Sequence, residues 1–116
     1  SNDDDKQISE VLKRINKLET LVAYPFFLYL YKQLDEEIID KKKFLEILLV
    51  TESYVFRRFI CWVPTNALNK TFMLLSKDVE NLINFEDNFV VAFKYVLLNK
   101  TASQRFPKNE EFSEYL

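Results

Sequence analysis

The residues best suited to chemistry form a polar cluster within a strongly apolar part of the chain. It begins with an arginine pair and resumes after a proline; its members are Arg57, Arg58, Thr65, Asn66, Asn69 and Lys70. Guanidinium groups bind phosphate or carboxylate oxygens through paired hydrogen bonds. A helix N-terminus that carries hydroxyl and amide side chains can also receive an anion. The cluster therefore predicts a site for nucleic-acid phosphates or for a protein partner.

The same residues also have a structural interpretation, which the sequence leaves open. On a helical projection Arg58 falls beside Tyr54 and Cys61, so we expect it to be partly covered and to need an anionic or carbonyl partner. Arg57 lies near the end of the same predicted helix, where a cation suits the helix dipole. Thr65 can cap the helix that follows.

The composition excludes several common kinds of active site. There is no histidine, which removes the most frequent general base, and a single cysteine cannot complete a usual zinc site. The acidic pairs Glu36-Glu37 and Glu110-Glu111 diverge on a helix, so neither forms a metal site or an acid–base pair. We therefore expect no catalytic residue, no metal and no cofactor in this chain.

Cysteine usage and charge bear on where the protein works and what it meets. Cys61 stands between Ile60 and Trp62, which predicts a buried thiol in a reducing, cytoplasmic compartment. No apolar run approaches the roughly 18–20 residues of a membrane span, so no membrane partner is expected. The formal net charge is −2, but between Lys41 and Lys77 seven basic residues stand against two acidic ones, a local +5. This basic middle is compatible with DNA phosphates, and equally with a solvated helix start.

The pattern of the 116 residues predicts one all-α domain, a compact bundle of five or six helices. Glycine is absent, which argues against the tight hairpin turns of a sheet protein. We expect residues 1–116 to be a single helical domain from a larger multidomain protein. Residues 1–5 would be a disordered or tag-derived lead-in, although their acidic run also suits a helix N-terminus.

Individual helices can be predicted from caps and apolar spacing. The longest should run from an Asp40 cap to about Trp62, with an apolar stripe of Phe44, Leu48, Val55, Phe59 and Trp62. Asn84 is predicted to cap a later helix, and segment 24–31, apolar on nearly every side, to be central. A narrow stripe near the N-terminus predicts an edge helix or a dimer seam; it consists of Ile8, Val11, Ile15, Leu18 and Val22.

Three segments carry a family resemblance: YPFFLYLY (24–31), FLEILLVTESYVFRRFICWVPTNALNKTF (44–72) and RFPKNEEF (105–112). The most specific part is Tyr-Val-x-Arg-Arg-x-x-Cys followed by Pro-Thr-Asn-x-Leu-Asn. In this order the segments resemble the middle region of the GmrSD-type restriction endonuclease family, also catalogued as a domain of unknown function. Trp62 departs from the pattern, because similar sequences often have a small residue there.

The resemblance implies a function that the residues alone do not. Such bacterial proteins carry an N-terminal ParB-like nuclease domain with a DGQQR signature and a C-terminal HNH-type nuclease region, and they restrict foreign phage DNA with nucleotide dependence. Neither signature occurs in this chain. The resemblance implies a non-catalytic helical domain that positions neighbouring catalytic domains and contacts DNA phosphates through Arg57, Arg58 and Lys70. The alternative is a protein–protein or homodimerisation module without nucleic-acid binding.

Overall fold

The computed structural model describes residues 2–17, 21–84 and 88–116, and over these residues it confirms the all-α fold. They form six α-helices and no strand: α1 (Asn2–Lys17), α2 (Tyr24–Asp35), α3 (Lys41–Ile60), α4 (Asn66–Ile83), α5 (Phe89–Leu98) and α6 (Asn109–Ser113). Two 3-10 turns, Leu21–Ala23 and Ala102–Gln104, lie before α2 and after α5. Within these described ranges, no helix has the length and apolar character needed to cross a membrane.

The first helix, α1, is an edge helix that packs mainly on α3. The buried part of the predicted N-terminal stripe consists of Ile8, Val11 and Ile15. These side chains belong to the core and are not free to form a dimer seam, while Leu18 lies outside the described residues. The acidic residues 3–5 lie in the first turn of α1, as the helix N-terminus interpretation expects, and Asp5 pairs with Lys41 at 2.8 Å.

Aromatic side chains fill the core between α2, α4 and α5. Phe26 and Phe93 are fully buried and stack with ring centroids 5.5 Å apart, and Phe72 lies 6.4 Å from Phe26. Each such pair contributes about 0.5–1.5 kcal/mol beyond the area it buries. The prediction that segment 24–31 is central holds for one face only. The opposite face is exposed and comprises Tyr24, Leu28 and Tyr31.

Side-chain caps begin the two helices on either side of α4. Asp40 caps α3 as predicted, because its Oδ1 accepts a hydrogen bond from the Lys43 amide at 2.8 Å. The prediction for Asn84 is wrong: this residue follows the end of α4, and Asn88 caps α5 instead. Asn88 Oδ1 accepts a hydrogen bond from the Val91 amide at 3.2 Å.

The end of α3 departs from its predicted apolar stripe. Phe59 is 65% exposed and Trp62 is 84% exposed, although the stripe would bury both. The helix ends in a Schellman motif: the Val63 amide donates to the Arg58 carbonyl at 2.9 Å, and the Trp62 amide donates to the Phe59 carbonyl at 3.3 Å. This motif needs a left-handed residue after the helix, and Trp62 takes that place with a φ of 57°. Its side chain therefore leaves the helix face that packs on the core.

Candidate functional site

Arg58 lies in the interior, where it joins three parts of the chain. Its side chain is only 1% exposed, and its guanidinium carbon lies 5.3 Å from the centre of the Tyr54 ring. Nη1 donates to the Arg105 carbonyl at 3.0 Å, and Nη2 donates to the Pro64 carbonyl at 2.9 Å. Arg58 thus ties α3 to the turn before α4 and to the C-terminal residues. The expectation that it needs a carbonyl or anionic partner is confirmed.

The charge of Arg58 is enclosed by the protein. Burial lowers the pKa of its guanidinium, and Tyr54 and Glu111 oppose part of that change. Among the described residues its hydrogen bonds go to carbonyl oxygens, and its Nε has no partner there. A buried cation held in this way depends on the surrounding packing for its position. Arg58 is therefore not presented to an external phosphate.

Arg57, also on α3, holds other residues of the same C-terminal segment. Nη1 donates to the Pro107 carbonyl at 3.0 Å, and Nη2 donates to Asn109 Oδ1 at 2.9 Å. The guanidinium carbon also lies 4.7 Å from the centre of the Phe112 ring, a cation–π contact. Each terminal nitrogen of this half-buried side chain therefore donates to an oxygen of the protein itself.

Residues 104–112, here called the C-terminal strap, are anchored at further points on α3 and α4. Tyr54 Oη donates to the Gln104 carbonyl at 2.8 Å. Thr71 Oγ1 lies 3.0 Å from the side-chain oxygen of Gln104 and donates to it. The Phe106 ring is buried, with its centroid 5.6 Å from that of Tyr54. The strap is therefore packed into the domain by ring contacts as well as by hydrogen bonds.

An ion pair within the strap lies near the buried thiol. Arg105 Nη2 and Glu111 Oε2 are 2.6 Å apart, and this hydrogen bond holds the pKa of the Glu111 carboxyl below its ordinary value. Cys61 is buried, as predicted, and burial is the largest of the influences that raise the pKa of its thiol. A raised thiol pKa disfavours the reactive thiolate, which agrees with a packing role for Cys61.

The other residues of the predicted site lie on the surface of the first turns of α4. Thr65 occupies the predicted N-cap position of α4, but its side chain makes no capping hydrogen bond there. Asn66, Asn69 and Lys70 are exposed. Lys77 belongs to the basic middle of the chain but not to the predicted site; it is also exposed and lies on the same helix face as Lys70, seven residues on. We call Asn66, Asn69, Lys70 and Lys77 the α4 surface.

A second surface, hidden by the apolar pattern of the sequence, lies at the end of α3. Phe59, Trp62, Pro64 and Tyr115 line an open cleft of about 500 Å³, and we call these four residues the tryptophan patch. Apolar periodicity assigns Phe59 and Trp62 to the core, which hides the patch. The signal that could have revealed the patch is the absence of glycine. Without glycine, a helix that ends in a left-handed residue must carry a side chain at that position.

The remaining chemistry of the described side chains is limited. In residues 2–17, 21–84 and 88–116, no group of three or more His, Cys, Asp or Glu side chains is placed to hold a metal ion. No family model, curated protein or solved structure matches this chain. The features available to a functional argument are thus the arginine-held strap, the α4 surface and the tryptophan patch.

Proposed function

We propose that this chain is a non-catalytic helical domain of a DNA-restricting, GmrSD-like nuclease, in which it positions the catalytic domains. The observation that carries the proposal is the hold of the arginine pair on the C-terminal strap. Arg57 and Arg58 donate to the Pro107 and Arg105 carbonyls, each at 3.0 Å. A domain that positions its neighbours needs a fixed connection to them. By the family resemblance, the strap leads towards the C-terminal nuclease region.

DNA phosphate contacts, in this proposal, belong to the α4 surface and not to the arginine pair. Each terminal nitrogen of both arginines already donates to an oxygen within the protein. Lys70 and Lys77 are exposed on one face of α4, and Asn66 and Asn69 add amide donors at its first turns. Lysine and amide contacts to phosphates position a duplex without reading its sequence. Two lysines support weak binding that is sensitive to salt.

A duplex-binding experiment tests this assignment. Fluorescence anisotropy with a short labelled duplex is measured over a salt series for the wild type and for Lys70→Ala/Lys77→Ala. Loss of two phosphate contacts should reduce the slope of log K against log salt by about 2. The control pair Lys42→Ala/Lys43→Ala, exposed at the start of α3, should leave the slope unchanged, and so should Arg57→Ala. Absence of wild-type binding at low salt, or equal effects of both lysine pairs, would contradict the phosphate assignment.

A protein-interaction module is the second candidate, and the tryptophan patch favours it. Trp62 and Phe59 expose most of their ring area, and Tyr115 exposes about half. Aromatic residues grouped in this way are typical of the energetic centres of protein interfaces. Binding through this patch is compatible with a positioning role, because the patch shares no residue with the strap contacts or with the α4 surface.

A further inference from the structure

The tryptophan patch places a projecting ring beside an open cleft. Trp62 is the only tryptophan in the chain, and most of its indole lies in solvent. The cleft that it lines has a volume of about 500 Å³, enough to receive an aromatic side chain. Its lining residues, all in the described part of the chain, are apolar or aromatic except for Thr65, and none carries a charge.

The backbone at Trp62 makes its exposure informative. Its φ of 57° lies in the left-handed region, which is disfavoured for a bulky side chain. Glu37 and Ala102 are also left-handed, but among the residues that the structure describes only Trp62 combines this backbone with a large exposed apolar side chain. A glycine would end α3 without the strain, and the exposed ring adds nothing to the core. Strained residues that folding does not require are found at binding sites.

We propose that the tryptophan patch binds a second copy of this chain in a two-fold dimer, in which Trp62 of each copy enters the cleft of the other. A two-fold interface pairs one surface with itself, so it needs a protruding group and a matching hollow on the same patch. The patch has both. Because its lining is uncharged, two copies meet without like charges facing each other, whereas a nucleic-acid backbone would find no cation there.

The exposed area is adequate for the centre of such an interface. At about 200 Å² per aromatic side chain, the rings of Phe59, Trp62 and Tyr115 expose roughly 400 Å². A standard interface buries about 800 Å² on each partner, so the patch supplies about half and neighbouring polar residues supply the rim. We expect a dissociation constant no tighter than about micromolar, because area and apolar contact are the main contributions.

The single tryptophan makes the dimer directly observable. Molar mass by light scattering and tryptophan emission are recorded on the same samples over a concentration series that spans the micromolar range. The mass should rise from 13.9 kDa towards twice that value, and the emission should shift to the blue with the same midpoint. Phe59→Ala should raise the dissociation constant at least about 30-fold and keep the emission red-shifted.

Two variants separate the interface from folding. Trp62→Gly should stay monomeric while its thermal unfolding midpoint is equal to or above that of the wild type, because the strain is removed. Leu28→Ala, a matched truncation of an exposed apolar residue on α2, should dimerise like the wild type.

Several outcomes would overturn the proposal. They are a monomer at every concentration, a doubled mass without an emission shift, and equal weakening by Leu28→Ala and Phe59→Ala. An emission shift caused by a DNA duplex and not by protein concentration would mean that Trp62 stacks on bases, and the dimer would again be rejected. The first three outcomes do not bear on the strap contacts or on the α4 lysines, so the phosphate assignment is tested separately by the duplex experiment.

Discussion

Truncation of Arg58 tests whether the arginine pair is part of the domain's own structure. In Arg58→Ala the Pro64 and Arg105 carbonyls lose donors at 2.9 and 3.0 Å, and a cavity replaces a fully buried side chain. Each lost charge-assisted hydrogen bond costs about 1.5–3 kcal/mol. Part of this cost is recovered, because removing the charge also removes its desolvation penalty. We expect the free energy of unfolding to fall by about 3 kcal/mol.

A loss of that size is large for a domain of 116 residues, whose total stability should be about 5–15 kcal/mol. Urea unfolding followed by circular dichroism measures it: with an m-value of about 1.5 kcal/mol per M, the midpoint falls by about 2 M. Arg58→Lys keeps the charge but replaces the planar fork by a single ammonium, so we expect about half the loss.

Arg57→Ala is the control for a half-buried arginine on the same helix turn. It loses one half-buried and one exposed hydrogen bond and two ring contacts, so we expect a cost of about 1 kcal/mol. A free energy of unfolding for Arg58→Ala within about 0.5 kcal/mol of the wild type would refute the structural role of Arg58.

Three further perturbations concern helix ends and the strap. Glu37 has a φ of 61° after α2, so Glu37→Gly should raise the free energy of unfolding by about 1 kcal/mol in thermal melts; a loss would contradict the strain. Asn88→Ala should cost about 1 kcal/mol in urea unfolding because it removes the α5 cap, whereas Asn84→Ala should be near neutral. Arg105 lowers the pKa of Glu111, so the stability from this pair is present above the unfolded-state pKa and is lost as pH falls through the folded-state pKa. Glu111→Gln should remove that part of the acid dependence, measured by urea unfolding from neutral to acid pH; an unchanged dependence would contradict the pairing.

The existence of the helices could be predicted because it is determined by local side-chain chemistry, such as caps and prolines. Asp40 caps α3 through its own side chain, and Pro64 follows the end of the same helix. The sequence does not decide whether Asn84 or Asn88 caps α5, because asparagine is a good capping residue at either position. Which one meets a free amide depends on where the chain turns back to the core, and that position is set by packing.

Burial at the end of α3 could not be predicted from periodicity. The apolar pattern continues to Trp62, but a helix end is buried only where another part of the chain covers it. The strap covers the side of α3 that carries Tyr54, Arg57 and Arg58, and it leaves Phe59 open. Because these contacts join residues about 50 positions apart, no local sequence pattern predicts them.

The need of the arginines for oxygen partners could be predicted, but not which oxygens they bind. Carbonyl, carboxylate and phosphate oxygens all accept the same guanidinium hydrogen bonds. A buried position for Arg58 decides between them, since its two terminal nitrogens meet backbone carbonyls from distant segments. The sequence therefore marks Arg57 and Arg58 as structurally important but does not show whether they bind an external ligand or the domain itself.

The state of the Arg58 guanidinium is the most direct measure of whether the arginine pair serves the domain's own backbone. Side-chain NMR of the arginine guanidinium groups can be recorded for the protein alone and with excess DNA duplex at low salt. We predict Nη protons of Arg58 that exchange slowly with solvent and resonances that do not move when the duplex is added. Rapid exchange of these protons, or shifts of the Arg58 resonances with DNA, would contradict the structural role.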